Sequence, residues 1–401
     1  MISSDFTREL AVHGSENKIL MLVVDGLGGL PRPESGLSEL ETASLPNLDG
    51  LAAEGSCGLV SPLGPGFTPG SGPAHLALFG YDPWKNAIGR GALSALGLGL
   101  DFAVGDVACR LNFCTVDAGG NVTDRRAGRI PTEEGRRLCE ILDRIEIPGV
   151  QVSVAAEMEY RAGVVFRAEG LDDRVGDSDP QVTEVPPKAL EALAPEAERM
   201  VEIANEFLRQ AAELLKDEDP ANMVLMRGFG RYPELPQYAD VYGLKALGIA
   251  GYPMYRGVAG AVGMDTEATG WDLESEYQAL KASWDEYDFF YVHVKKTDSA
   301  GEDGDFDKKV SLLEEVDSYI PKLLELGPEA LVVTGDHSTP SVMRSHSWHP
   351  VPTAIKSPRA VADGLSFSER GCRGGSLGQI PSTALMALAL AHAGRLDKFG
   401  A

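Results

Sequence analysis

Residues 329–352, EALVVTGDHSTPSVMRSHSWHPVP, constrain this chain more than any other stretch. The apolar, β-branched run from Ala330 to Val333 is long enough for one buried strand. It stops at Thr334-Gly335, and Asp336 and His337 follow at once, with His346 and His349 close behind. Three of the chain's 7 histidines therefore crowd one short segment. Carboxylate and imidazole groups just past the end of a buried strand are the mixed O/N set that a divalent cation takes. Taken alone, the stretch also fits a helix cap at Asp336 flanked by surface histidines.

Two further strand ends repeat the pattern. KILMLVV at 18–24 reads as a buried strand running straight into Asp25-Gly26-Leu27-Gly28-Gly29. YDFFYVHV at 287–294 reads as another, running into Lys295, Lys296, Thr297 and Asp298, with Glu302 four residues on. In a parallel sheet such ends share one edge, where open α/β sheets bind their ligands. A Gly/Pro-dense loop, 64–72, leads into Pro73, which suits the first turn of a helix. Ser71 then sits at a helix N-terminus, where N–H groups and the helix dipole favour an anion; it is placed either as a nucleophile that accepts a phosphoryl group or as an N-cap. Together Asp25, Ser71, Asp298, Glu302, Asp336, His337 and His346 offer enough O/N ligands for two divalent cations. Two such ions about 3.5–4 Å apart clamp the attacking and leaving oxygens of a phosphoryl displacement.

Composition narrows the classes. Apolar content of 43% and charged content of 24% describe an ordinary globular protein, and 401 residues suit two domains better than one. No run approaches a membrane span, and MISSDFTREL lacks the apolar core of a signal peptide. Five scattered cysteines form no CxxC pair, which fits a reducing cytoplasm. A net charge of −24 argues against nucleic acid or anionic membrane as partner. An anionic substrate would then need a local basic site. Asp124-Arg125-Arg126-Ala127-Gly128-Arg129 provides one: guanidinium forks match phosphate or carboxylate, although arginines paired to nearby acids fit the same residues.

Strands are expected over 103–117, 157–167 (with Arg161 near its start) and 221–230, the last ending at Arg227-Gly228. Residues 177–188 read as a polar loop. Helices are expected over 44–54, from Pro195 to about Lys216, and after Asp305. The second has Ile203, Ala204, Phe207, Leu208, Ala211, Leu214 and Leu215 on its core face; the third has Val310, Leu313, Val316, Ile320 and Leu323/Leu324.

These motifs carry a resemblance. VVDGLGG (23–29), TPGSGPAHLALFGYDP (68–83), GRGAL (89–93), DRRAGR (124–129), ANMVLMRGFG (221–230), HVKKTDSAGEDGDF (293–306), and TGDHSTP with HSWHPVP (334–352) resemble the cofactor-independent phosphoglycerate mutases of archaeal type, within the alkaline phosphatase superfamily. The resemblance is colinear over most of the chain. It implies an α/β, alkaline-phosphatase-like core with a mostly parallel sheet sandwiched by helices, from 1–83 and 241–401. It also implies an inserted α+β phosphoglycerate-binding domain, 84–240, closing over the core about hinges near 83–90 and 235–245.

By the same resemblance, Ser71 becomes phosphoserine. Asp25, Ser71, Asp336 and His337 hold one metal; Asp298, the residue at 302, and His346 hold the other. Asn112, Asp124, Arg125, Arg126, Arg129, Arg161, Arg227 and Lys295 handle the substrate. The two divalent ions would be Mn²⁺, with Mg²⁺, Co²⁺ or Zn²⁺ as alternatives. The chain departs from the family pattern at Glu302 (usually His), His349 (usually Asp), Gly72 (often Asp) and Tyr160 (usually His). An exchange of imidazole and carboxylate between positions 302 and 349 around one metal would reconcile two of these departures. The implied reaction interconverts 3-phosphoglycerate and 2-phosphoglycerate. A metal-dependent phosphatase or phosphonate hydrolase, or a mutase of another phosphate ester, could use the same core. The oligomeric state stays open, a homo-oligomer included.

Overall fold

The computed structural model describes residues 4–400. Two compact units emerge: Met1–Ala87, Leu235–Tyr252 and Val262–Ala401 form the first, Ile88–Glu234 and Pro253–Ala261 the second.

The first unit is built on an 8-stranded sheet flanked by helices. Its strands run Gly378–Pro381, Ser56–Ser61, Val351–Lys356, Ala330–Thr334, Ile19–Val24, Phe289–Val294, Ala246–Ala250 and Asp265–Ala268. Ile19–Val24 is parallel to both its neighbours, whereas Val351–Lys356 is antiparallel to both of its own. The sheet is mostly parallel, as expected. Its central strands are buried on both faces, which is why they read as continuous apolar runs rather than alternating ones. Leu20, Leu22, Val24, Leu331 and Val333 join Leu48 and Leu51 of the helix Pro46–Glu54 and Leu313, Val316 and Ile320 of the helix Phe306–Glu325 in one core. Each such side chain contributes about 1.5–3 kcal/mol on full burial. Register then fixes the site: Val24 pairs with Val294 and Val23 with Thr334, so Asp25, Lys295 and Gly335 leave the sheet at one edge.

Three local features go beyond what the sequence pattern gives. The residues after Val294 continue into a helix, Lys296–Asp303, stopped by Gly304 in the left-handed conformation, which puts Asp298 and Glu302 one turn apart. The stripe of Phe306–Glu325 is buried as expected at Leu313, Val316, Ile320 and Leu323, but it is wider. Lys309 and Asp317 are buried in it, while Leu324 is exposed. Asp317 is there because its Oδ1 accepts from the Asn47 and Leu48 N–H groups at 3.0 and 2.7 Å, capping the helix Pro46–Glu54 where Leu45 cannot. On the helix Glu198–Leu215, Leu214 is likewise exposed.

The second unit holds an antiparallel sheet in the order Val122–Asp124, Val107–Val116, Arg161–Arg167, Gln151–Met158, with Met223–Arg231 also paired to Val107–Val116. The expected strand 157–167 is in fact a hairpin corner. Glu159, at φ 51, turns the chain between Met158 and Arg161, which pair across it. The boundaries 84–240 would leave Pro253–Ala261 with the core, but this helix packs on Arg90–Leu98 instead. Gly257 lets the backbones touch there, since a Cβ at that position would lie 2.0 Å from Leu93 O.

Candidate metal centre

At the carboxyl edge of the first unit's sheet, two groups of side chains could each hold a cation: Asp25, Asp336 and His337, and Asp298, His337 and His346. In each group the ligand atoms lie within 4.8 Å of one another. His337 belongs to both. Its Nε2 is 3.5 Å from Asp25 Oδ1, 3.2 Å from Asp336 Oδ2 and 3.3 Å from Ser71 Oγ. His346 stacks on the His337 ring at 3.6 Å between centroids, its Nε2 3.5 Å from Asp298 Oδ1. Asp336 is oriented by its own loop and the neighbouring one: Oδ1 accepts from the Gly26 and His337 N–H groups at 3.2 and 3.0 Å. Gly26 (φ 64) is where the Asp25 loop folds over Thr339; a Cβ there would meet Thr339 Oγ1 at 2.6 Å. Ser71 is the first residue of the helix Ser71–Leu78. Gly70 is the N-cap, so the serine side chain is not spent on capping.

The electrostatics favour a cation. Asp25, Asp298 and Asp336 are buried, and among the described residues the Lys295 ammonium is the cation set among them, 3.1 Å from Asp25 Oδ2 and hydrogen-bonded to Asp298 Oδ2. Burial works against charge on Asp25, but Lys295 and a hydrogen bond from His293 hold its carboxyl well below the usual carboxylate range. Burial, with the Asp25 and Asp298 charges beside it, pushes the Asp336 carboxyl well above that range. Burial holds His337 well below the usual imidazole value, so it is the neutral ring a metal ligand requires. Asp336 Oδ2, fully buried, accepts no hydrogen bond among the described residues. Neutral imidazole, clustered carboxylates and this unused oxygen all suit a divalent ion.

Sequence reasoning missed two histidines behind this edge. His75 Nδ1 lies 2.8 Å from Ser71 O and 3.5 Å from Asp336 Oδ2; His293 Nε2 lies 3.3 Å from Asp25 Oδ2. Both are fully buried, and burial, reinforced by His293, drives His75 down to about 3. The signal was available: His75 is one helical turn after Ser71, and His293 is the penultimate residue of a buried strand.

The two positions of the expected exchange, 302 and 349, separate. Glu302 Oε1 is 3.7 Å from His346 Nε2, next to the second group, and burial raises its carboxyl. His349 is in neither group. Its Nδ1 is 3.1 Å from Ser347 Oγ and its ring stacks on Trp348.

In the second unit, Arg125 is bound bidentately to Asp179 at 2.8 and 2.7 Å, and Arg227 Nη1 reaches the same carboxylate at 3.2 Å. Asp179, buried within the loop 177–188, was also missed; a polar loop gives no hint that one member organises two arginines. Asp124 accepts from the Arg126 and Gly128 N–H groups at 2.8 and 2.7 Å. It shapes a turn in which Ala127, Gly128 and Arg129 all have positive φ (44, 63 and 54), presenting Arg126 and Arg129 to solvent. Asn112 pairs in register with Arg161, whose guanidinium lies over the Tyr160 ring at 4.8 Å.

Buried carboxylates and imidazoles at the carboxyl edge of a mostly parallel sheet, with a serine hydroxyl against the shared imidazole, define an α/β protein with a candidate two-cation centre. The family model for 2,3-bisphosphoglycerate-independent phosphoglycerate mutase matches residues 52–222. A "Probable 2,3-bisphosphoglycerate-independent phosphoglycerate mutase" of Thermus thermophilus is 51% identical over 402 residues, covering 98% of each chain. One so named from Aquifex aeolicus is 49% identical, covering 97% of this chain and 98% of its own. A solved structure from Pyrococcus horikoshii superposes with a TM-score of 0.83 at 30% identity, covering 96% of this chain and 99% of that one. The cofactor-independent phosphoglycerate mutase from Thermoplasma acidophilum gives 0.72 at 28%, covering 94% and 100%. The chain belongs to the 2,3-bisphosphoglycerate-independent phosphoglycerate mutase family and is an enzyme of that family. Among the described residues, no helix is long and apolar enough to cross a membrane.

Proposed function

We propose that this enzyme interconverts 3-phosphoglycerate and 2-phosphoglycerate, as a cytoplasmic step of glycolysis and gluconeogenesis, with Ser71 carrying the phosphoryl group between them. The observation that supports this most is the Ser71 hydroxyl: it stands at a helix N-terminus, 3.3 Å from a neutral His337 shared by two buried ligand groups. Asp25, Ser71, Asp336 and His337 would hold one divalent ion, Mn²⁺ first among the candidates, and Asp298, His346 and Glu302 the other. His349 is left out because its ring is engaged elsewhere. Such ions would lower the pKa of a serine hydroxyl and neutralise charge on the transferred group.

Ser71 Oγ attacks phosphorus and the bond to the glycerate oxygen breaks. The Ser71 hydroxyl loses a proton, and glycerate gains one. The N–H groups at the start of Ser71–Leu78 favour the phosphate dianion, and Lys295 adds positive charge beside it. Asn112, Asp124, Arg125, Arg126, Arg129, Arg161 and Arg227 are assigned to glycerate handling, so that the second hydroxyl takes the phosphoryl group back. The test is incubation with 3-phosphoglycerate and Mn²⁺, reading 2-phosphoglycerate against free phosphate. 2-Phosphoglycerate is expected, and Ser71→Ala should reduce it to background. Mostly free phosphate would point to a hydrolase, and activity surviving in Ser71→Ala would overturn the phosphoserine route.

A further inference from the structure

One buried residue, in neither ligand group, is hydrogen-bonded to the Asp25 loop, to Asp298 and to His337. Thr339 lies two residues past His337. Its Oγ1 is 2.7 Å from Asp298 Oδ1 and 3.0 Å from His337 Nδ1. Its N–H donates to Gly28 O at 3.0 Å, and its carbonyl accepts from Lys309 Nζ at 2.9 Å. It packs so closely on the helix Lys296–Asp303 that a Cβ at Gly301 would fall 2.3 Å from Thr339 O.

The hydroxyl has one proton to give. A carboxylate only accepts, and Lys295 donates to the other oxygen of Asp298. The Thr339 proton therefore goes to Asp298 Oδ1, and the hydroxyl oxygen is left to accept from His337 Nδ1–H. That puts the ring proton on Nδ1 and leaves Nε2 bare. Nε2 is the atom facing Ser71 Oγ, Asp25 Oδ1 and Asp336 Oδ2.

We propose that Thr339 is a positioning residue: it fixes His337 in the Nδ1–H tautomer and, through Asp298, ties the two cation groups into one unit. This rests on the reading that both groups hold cations. A ligating histidine is normally oriented by a partner on its other nitrogen, and loss of that partner weakens metal binding roughly 10–100-fold. What is unusual here is that the partner is itself bonded to a ligand of the second group, so one hydroxyl serves both.

Thr339→Val keeps the shape and removes the hydroxyl; Thr339→Ser keeps the hydroxyl. Mn²⁺ titration by calorimetry is expected to show two ions in the native enzyme, roughly 10–100-fold weaker binding in Thr339→Val, and recovery in Thr339→Ser, with all three proteins folded and unfolding cooperatively without metal. Two ions bound equally well by native and Thr339→Val protein would overturn this inference alone; native protein that binds no Mn²⁺ would overturn it together with the proposed function. A second readout needs no variant of Thr339. In ¹⁵N-histidine spectra of the metal-free native protein at pH 8, with His337 assigned by His337→Asn, the ring proton is expected on Nδ1. A proton on Nε2 would overturn the inference.

Discussion

Lys309 is a fully buried cation whose loss should be costly to the first unit. Its ammonium donates to Gly26 O, Gly28 O and Thr339 O at 2.8, 3.0 and 2.9 Å, with Glu39 Oε1 at 4.0 Å. These carbonyls belong to the loops that carry Asp25 and His337. Lys309→Met, close in shape, strips one partner from each of three buried carbonyls and removes the cation beside the buried Glu39. Hydrogen bonds to a charged group are worth about 1.5–3 kcal/mol each. Against that, the substitution no longer has to desolvate an ammonium, a saving of several kcal/mol. The net expectation is a loss of about 3–5 kcal/mol, the range for breaking one side of a buried charge pair. Urea unfolding followed by tryptophan fluorescence reads the correct unit, because Trp84, Trp271, Trp284 and Trp348 all lie in it. Adding Glu39→Gln to Lys309→Met should recover part of the loss by removing the orphaned carboxylate. A Lys309→Met protein within about 1 kcal/mol of native would refute the reasoning, since that is the size of an ordinary substitution.

Two further outcomes are expected. Glu276 is buried and its carboxyl is pushed up to about 9 by that burial, from an ordinary 4.5. The folded state therefore binds the proton more tightly than the unfolded one, so stability should fall as pH rises from about 4.5 to about 9, by up to about 1.4 kcal/mol per pH unit. Glu276→Gln should flatten that slope in urea titrations across this window, and parallel profiles would contradict the burial argument. In the second unit, Asp179→Asn weakens the shared anchor of Arg125 and Arg227. Unfolding followed by far-UV circular dichroism should show a loss of about 1–3 kcal/mol, and KM for phosphoglycerate should rise more than kcat falls. An unchanged KM would detach these arginines from substrate handling.

The local chemistry was legible in the sequence because it depends on neighbours along the chain. A buried strand followed at once by a carboxylate reads the same in one dimension as in three, so Asp25, Asp336 and His337 could be picked out, and so could Ser71 beside Pro73. What lay outside that reach was every contact whose partner is distant. Asp317 was hidden because it caps a helix some 270 positions away. Asp179 looked like solvent-exposed loop because the arginines that bind it come from distant stretches of the chain. Arg125, read as either ligand-facing or acid-paired, is held by Asp179 in this structure.

The amino-acid sequence by itself determined the parallel-sheet core and the types of side chain at its edge, because apolar runs and strand-end residues are local properties. Only the tertiary structure decided that His337 belongs to both ligand groups, that His349 belongs to neither, and that Thr339 and Lys309 lock the loops together. The physical reason is that hydrogen-bond partners and charge neighbours act over a few ångströms in space, and strand register, not spacing along the chain, brings those few ångströms about.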